Sequence, residues 1–156
     1  MLIFRKLEFT NFVYIVIFIH FLVLLLGAHY TYAKVPGFNW MNEIFGGTRN
    51  NYDKIGHFMQ GFSPALIARE ILIRKNVLNK KSWLPFLVIC IVLAISAFYE
   101  LIEWIISLTS GESGDSFLGT QGFIWDTQTD IFMAVVGALV ALFFLSKIQN
   151  RKISQI

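Results

Sequence analysis

Four long apolar runs, with short clusters of basic residues at some of their ends, constrain the fold of this chain more than any other feature of its sequence. A helix needs about 20 mostly apolar residues to cross the hydrocarbon core of a bilayer. On this basis we predict membrane-spanning helices at about residues 12–33, 54–73, 83–108 and 127–146. The predicted fold class is all-α: a four-helix transmembrane bundle that forms a single integral membrane domain over residues 1–156.

The composition supports a membrane protein and argues against a nucleic-acid-binding one. Hydrophobic residues make up 56% of the chain and charged residues 15%, whereas a soluble domain has about 25% charged residues. The formal net charge is only +3, and the basic residues lie between the apolar runs instead of forming one basic face. The single cysteine, Cys90, excludes an intramolecular disulfide and a zinc–thiolate cluster within one chain.

The basic clusters predict the orientation of the helices, because cytoplasmic loops of membrane proteins carry an excess of Lys and Arg. Basic residues precede the first run, separate the second from the third and follow the fourth: Arg5, Lys6, Arg74, Lys75, Lys80, Lys81, Lys147, Arg151 and Lys152. We therefore expect both termini in the cytoplasm. Two structured loops, at about residues 34–52 and 109–125, are then expected on the outer side.

The two outer loops differ in composition. The stretch FNWMNEIF predicts a short interfacial helix that ends at Gly46 and Gly47. The stretch SGESGDSFLGTQGFIW contains four glycines and several polar residues, which predicts a tight loop that covers this end of the bundle.

The second span is the weakest of the four predictions because it contains Gln60, Pro64, Arg69 and Glu70. Arg69 and Glu70 lie near its cytoplasmic end, and we expect them to snorkel or to pair locally. His20, in the middle of the first span, is expected to hydrogen-bond to another helix.

The orientation places ionisable residues of three helices at a similar depth. Asp53, His57 and Gln60 share one face of the second helix because they are spaced by four and three residues. The corresponding residues of the third and fourth helices are Ser96, Glu100, Glu103, Asp126 and Asp130. A charge in hydrocarbon costs about 2.5–3.5 kcal/mol on insertion scales. We therefore expect these side chains to meet inside the bundle, within the outer leaflet.

The predicted site residues have three roles. The candidate catalytic residues are His57, Glu100, Glu103, Asp126 and Asp130. The candidate substrate-binding residues are Arg49, Asp53, Lys54, Gln60, Gln121 and Gln128. An imidazole with several carboxylates also suits a divalent cation, for which the candidate ligands are His57, Glu100, Glu103 and Asp130. The sequence leaves both this cation and a metal-free acid–base site open.

Several stretches of the chain resemble the YjdF family of bacterial inner-membrane proteins: AHYTYAKVPGFNW, NNYDKIGHFMQGFSPALIAREIL, LAISAFYELIEW and DSFLGTQGFIWDTQTDIF. A more distant similarity is to VanZ-like membrane proteins, through Lys54, His57, Asp130 and Gly137, although Ala134 stands where that pattern has Asn. The resemblance to the YjdF family implies a multi-pass helical protein of the bacterial inner membrane. Neither resemblance specifies a reaction or a substrate.

Two hypotheses for the function follow from these residues. The first is a membrane enzyme that acts on a lipid or cell-envelope headgroup by hydrolysis or group transfer. The alternative is a non-catalytic membrane protein, either an ion-coupled carrier or an envelope binding or stress module, whose polar cluster is structural. The expected partners are membrane lipids, and the sequence allows a homo-oligomer.

Overall fold

The computed structural model describes residues 8–38, 48–110 and 121–155. Within these ranges every long element is helical and no strand occurs. The four helices are α1 (Asn11–His29), α2 (Tyr52–Arg74), α3 (Leu84–Ser110) and α4 (Asp126–Ile153). The predicted all-α class is therefore confirmed for this part of the chain. The predicted interfacial helix FNWMNEIF, and most of the glycine-rich loop, lie outside the described residues.

Three of the helices, α1, α3 and α4, are long and apolar enough to cross a membrane. The fourth, α2, carries too many polar residues to qualify by composition. It packs against each of the other three helices, so its polar side chains face protein instead of lipid. The apolar side chains of α1, including Ile15, Phe18 and Leu25, are in contrast largely exposed on the outside of the bundle.

Small residues let α2 and α4 approach closely. A Cβ atom added to Gly61 would overlap the backbone of Ala134, and one added to Gly137 would overlap the backbone of Phe58. Such residues are common where transmembrane helices meet, because their association depends on close packing instead of a hydrophobic driving force. Gly137 and Gly61 thus both lie where the backbones of α2 and α4 are in direct contact.

Helix α1 ends earlier than predicted, at His29. Thr31 and Tyr32 have φ angles of 54° and 49°, a left-handed conformation that a helix cannot continue. The turn folds Tyr32 back along α1, where its hydroxyl group donates to the carbonyl oxygen of Leu24 at 3.3 Å. Its ring occupies the space that a side chain at position 27 would need, which explains Gly27.

Polar contacts join the helices at the end where α1 begins and α2 ends. Glu70 is fully buried and accepts hydrogen bonds from the backbone N–H and the hydroxyl group of Thr10, both at 2.8 Å. It also pairs with Arg74 at 3.2 Å, as a local pair would. Arg69, however, does not snorkel: it is buried and donates to Gln149 and Asn150 of α4. That part of the sequence prediction was wrong.

Helix α4 contains one wide turn, a π-helical segment at Ala141–Leu145, and then continues to Ile153, beyond its predicted end near residue 146. After this turn, Gln149 is fully buried against α2 and donates to the carbonyl oxygen of Leu66 at 2.7 Å. The predicted site lies at the other end of the bundle, where α2 and α4 begin and α3 ends. We call this the carboxylate end.

Candidate functional site

Carboxylates from three helices meet at the carboxylate end. Asp53 comes from α2, Glu100 and Glu103 come from α3, and Asp126 and Asp130 come from α4. Asp53, Glu100 and Asp130 are each at most 8% exposed. The helices position them because α2 and α4 run in the same direction from this end, while α3 runs toward it. The structure therefore brings together the acids that the sequence placed at a common depth.

His57 lies between two of these acids. Its Nδ1 is 3.6 Å from Oε1 of Glu100, and its Nε2 is 3.6 Å from Oδ2 of Asp130. Nδ1 is also 2.9 Å from Oε1 of Gln60, one turn further along α2. An acceptor at that distance favours the tautomer that carries its proton on Nδ1. The Nε2 lone pair is then available on the side of Asp130.

Two basic side chains hold the remaining acids. The Lys54 ammonium group is 2.7 Å from Asp126 and 2.6 Å from Asp130. Arg49 pairs with Asp53 and with Asp126. Burial disfavours the charge of Arg49, but its two carboxylate partners outweigh this effect and raise the pKa of the guanidinium group. Both cations are thus engaged by protein carboxylates, and the substrate-binding role that the sequence suggested for them stays a prediction.

The other predicted binding residues lie apart from this centre or beside it. Gln121 forms a reciprocal pair of hydrogen bonds with the backbone of Asn50, at 3.0 and 2.8 Å. It therefore joins the segments that precede α2 and α4. Gln128 is exposed, so its position gives no support to a substrate-binding role. Gln60, in contrast, is buried and orients His57.

A cavity of about 320 Å³ lies beside His57, between α1, α2 and α3. Its walls combine aliphatic and polar side chains: His20, Leu24, Ala28, Tyr32, Asp53, Gly56, His57, Gln60, Pro64, Ile95, Tyr99 and Glu103. The interhelical hydrogen bond predicted for His20 is not found among the described residues, where its buried Nε2 has no partner. Sequence reasoning missed Tyr32 and Tyr99. The regular spacing of Ile95, Tyr99 and Glu103 on one stripe of α3 was the available signal for Tyr99.

Glu103 lies between this cavity and a second hollow. The second hollow, of about 220 Å³, is lined by Glu100, Glu103, Trp104, Ser107, Phe123, Ile124, Asp126 and Thr127. Glu103 therefore borders both spaces, while Glu100 and Asp126 border only the smaller one. The two hollows give the buried carboxylates access from two sides.

Two triads within the described chain could hold a metal ion. His57, Glu100 and Asp130 each offer one ligand atom, and these atoms lie within 4.8 Å of one another. Asp53, Asp126 and Asp130 satisfy the same condition. Glu103, which the sequence also predicted as a ligand, belongs to neither triad found among these residues. An imidazole flanked by acids can also transfer protons without a metal.

Comparison with known proteins identifies the family of this chain. Residues 1–151 match the family model described as Predicted membrane protein (DUF2238). The chain belongs to this family. It is 50% identical over 150 residues to the inner membrane protein YjdF of Escherichia coli (strain K12), and the match covers 96% of this chain and 71% of the relative. No solved structure matches the chain.

These matches confirm the YjdF resemblance and the predicted location of a multi-pass protein in the bacterial inner membrane. The more distant similarity to VanZ-like proteins finds no support in them. The family is described only as a predicted membrane protein, so the chemistry of the carboxylate end must be argued from its geometry.

Proposed function

We propose that this protein is a small membrane enzyme that acts on the headgroup of an amphiphilic lipid or cell-envelope precursor, by hydrolysis or group transfer. The observation that carries the proposal is the position of His57, which lies between the Glu100 and Asp130 carboxylates in the wall of a cavity. A buried base flanked by acids from two other helices, beside an accessible space, is the arrangement expected of an acid–base centre.

The shape of the cavity supports an amphiphilic substrate. Helices α1 and α3 both pack against α2 but make few contacts with each other in the described chain. The cavity lies between them. Its lining includes an aliphatic part, with Leu24 and Ile95, and a polar part, with His57 and Glu103. An acyl or isoprenoid chain fits the first environment, and a headgroup fits the second.

The residues provide the parts of a transfer reaction. His57 would activate an attacking hydroxyl group by accepting its proton at Nε2. A cation held by His57 would instead lower the pKa of that hydroxyl group. Glu103, which borders the cavity, is placed to protonate the leaving oxygen. Arg49 and Lys54 hold Asp53, Asp126 and Asp130 in position. With both termini in the cytoplasm, as the basic clusters predict, this centre lies in the outer leaflet.

The test is comparative lipid and envelope analysis of a deletion strain that carries the wild-type protein, the His57→Gln variant or the His29→Gln variant. His29 is a matched control because it is a histidine near the carboxylate end, at the end of α1, but its side chain is exposed. Among the described residues its ring contacts the ring of Tyr30. We expect one headgroup class to accumulate in the deletion and His57→Gln strains. Wild type and His29→Gln, at equal abundance, should restore the profile.

Two results would contradict the enzyme. One is a deletion strain whose lipid and envelope profile is unchanged across growth conditions. The other is full restoration by the His57→Gln variant at the abundance of wild type, because the reaction cannot proceed without the group that activates the nucleophile.

A non-catalytic protein is the second candidate, and the ion pairs favour it. Lys54 and Arg49 connect the start of α2 to the start of α4 through Asp126 and Asp130, as a purely structural network would. Single substitutions His57→Ala, Glu103→Ala and Asp130→Ala distinguish the two. If all three lower the melting temperature, the network is structural; if the protein stays folded or gains stability, the groups are strained for function.

A further inference from the structure

We propose that His57, Glu100 and Asp130 bind a divalent cation of the zinc or manganese class. This inference rests on the proposed function for its choice of site, and it assigns the site a bound ion. Three separate observations support it: how the ligand groups are held, how far apart they are, and how the charge around them is balanced.

Two of the three groups, His57 and Asp130, each have one atom held by a neighbour and a second atom available to an ion. Gln60 engages Nδ1 of His57, and Lys54 engages Oδ1 of Asp130. The remaining atoms are Nε2 and Oδ2, 3.6 Å apart. Metal-binding imidazoles and carboxylates are held in this way, by partners that orient them from outside the coordination sphere.

Glu100 provides the independent sign that something is bound. Its side chain is more than nine-tenths buried, at 8% exposed, and its Oε1 has no hydrogen-bond partner among the described residues. The Thr127 side chain is a neighbour of the same carboxylate, but Oε1 itself has no hydrogen-bond partner among these residues. A buried carboxylate oxygen without a partner is costly, and a cation removes that cost.

The distances fit shared coordination better than direct hydrogen bonds. Nε2 of His57 lies 3.6 Å from Oδ2 of Asp130, which is too long for a hydrogen bond. One ligand atom each of His57, Glu100 and Asp130 lies within 4.8 Å of the other two. Two ligand atoms on one tetrahedral ion, at bond lengths of about 2.0–2.2 Å, are separated by about 3.4 Å. Small movements of the side chains would therefore place all three groups around one ion.

The charge balance selects this triad over Asp53, Asp126 and Asp130. Arg49 and Lys54 already contact all three members of that second triad, so positive charge fills its centre. Neither basic side chain forms an ion pair with Glu100 within the described chain. The negative charge that lacks a counter-ion thus lies beside His57.

The ligand types indicate the class of ion. One imidazole nitrogen with two carboxylates suits a borderline ion such as Zn²⁺ or Mn²⁺, whereas Ca²⁺ and Mg²⁺ prefer oxygen ligands alone. Three protein ligands leave at least one coordination position open, as in catalytic sites. A water molecule or a headgroup oxygen from the adjoining cavity would occupy it.

Metal binding by the full-length protein, purified in detergent or lipid nanodiscs, tests the inference. Metal content is measured by mass spectrometry, and chelator-treated protein is then titrated with Zn²⁺ or Mn²⁺, the latter followed by electron paramagnetic resonance. We expect about one ion per chain and at least about a tenfold loss of affinity in Glu100→Gln, with a change of less than about threefold in Glu103→Gln. His57→Gln serves in place of Glu100→Gln if the latter does not fold.

Three outcomes would overturn the site: no saturable binding of either ion, equal losses in Glu100→Gln and Glu103→Gln, or a larger loss in Asp53→Asn than in Glu100→Gln. The last result would place the ion in the second triad. The measurement detects bound metal and not turnover. A protein that changes the lipid profile but binds no ion would therefore support the proposed enzyme and contradict the metal site. A protein that binds an ion but leaves the lipid profile unchanged would support the metal site and contradict the proposed enzyme.

Discussion

Glu70 and Glu100 are both buried carboxylates of the bundle, but their surroundings differ. Glu70 accepts two hydrogen bonds from Thr10 and pairs with Arg74. Oε1 of Glu100 accepts none within the described chain. A buried polar group that is fully satisfied stabilises a fold, whereas one left unsatisfied calls for a ligand or a function. This contrast separates the structural end of α2 from the carboxylate end.

The first prediction at this scale concerns Glu70. In Glu70→Gln an amide replaces a carboxylate that accepts three hydrogen bonds, which leaves buried donors poorly paired and lowers the free energy of unfolding by about 1–3 kcal/mol. Thermal unfolding of the purified protein measures the effect. Glu8→Gln is the control because Glu8 is exposed, and it should unfold at the wild-type temperature. Equal melting temperatures for both variants would refute the structural role of Glu70.

Residue spacing predicted which acids share a depth, but not which charges pair. His57 and Asp130 could be placed at one level from helix direction and rise per residue alone. The partners of Arg49 and Lys54 could not, because pairing depends on the rotation of each helix about its own axis. The contacts of Glu70 with Thr10 and of Arg69 with Gln149 span 60 and 80 residues of sequence. Local patterns contain no information about such pairs.

At the scale of elements, α2 explains why average hydropathy identifies only three spanning helices. A helix surrounded by other helices does not need an apolar surface all round, since its polar side chains find partners in the protein. Its packing instead depends on small residues. Gly61 lies against the backbone of Ala134, while Gly56 on the same helix faces only the ring of Tyr32, at 3.7 Å from an added Cβ atom.

These two glycines give a matched prediction. Alanine in place of a helical glycine contributes about 1 kcal/mol of intrinsic stability, but overpacking costs about 1–3 kcal/mol or more where there is no space. We expect Gly61→Ala to separate α2 from α4 and lower the melting temperature. Gly56→Ala should leave it unchanged or raise it. The packing explanation fails if the two variants unfold alike.

At the scale of the whole molecule, the alternation of the four helices places the basic clusters at one end and the carboxylates of the candidate site at the other. Arg74, Lys81 and Lys152 lie where α2 and α4 end and where α3 begins, opposite Asp53 and Asp126. The excess of Lys and Arg on cytoplasmic loops predicts which end faces the cytoplasm. The sequence thus predicted the helices, their alternating directions and the end of the bundle that carries the acids of the site. The side of the membrane on which that end lies depends on the loop charges and is tested separately.

Cysteine labelling tests the orientation. In a Cys90→Ala background, a membrane-impermeant maleimide should label Trp125→Cys in intact cells and Gln155→Cys only after the inner membrane is permeabilised. Both positions are exposed at opposite ends of α4, so access to the reagent depends on the side of the membrane. The reverse labelling pattern would place the carboxylate end in the cytoplasm and rule out a substrate in the outer leaflet.

The wide turn at Ala141–Leu145 divides α4 into two segments. It changes the direction in which the side chains of the second segment point relative to those of the first. Each residue of an α-helix advances by about 100° around the axis, so a turn that holds one extra residue rotates everything beyond it by about that angle. Asp130 precedes the turn and Gln149 follows it, yet both face α2. The number of residues between them is therefore fixed by geometry, and the loss of even one apolar residue there would turn Gln149 toward lipid.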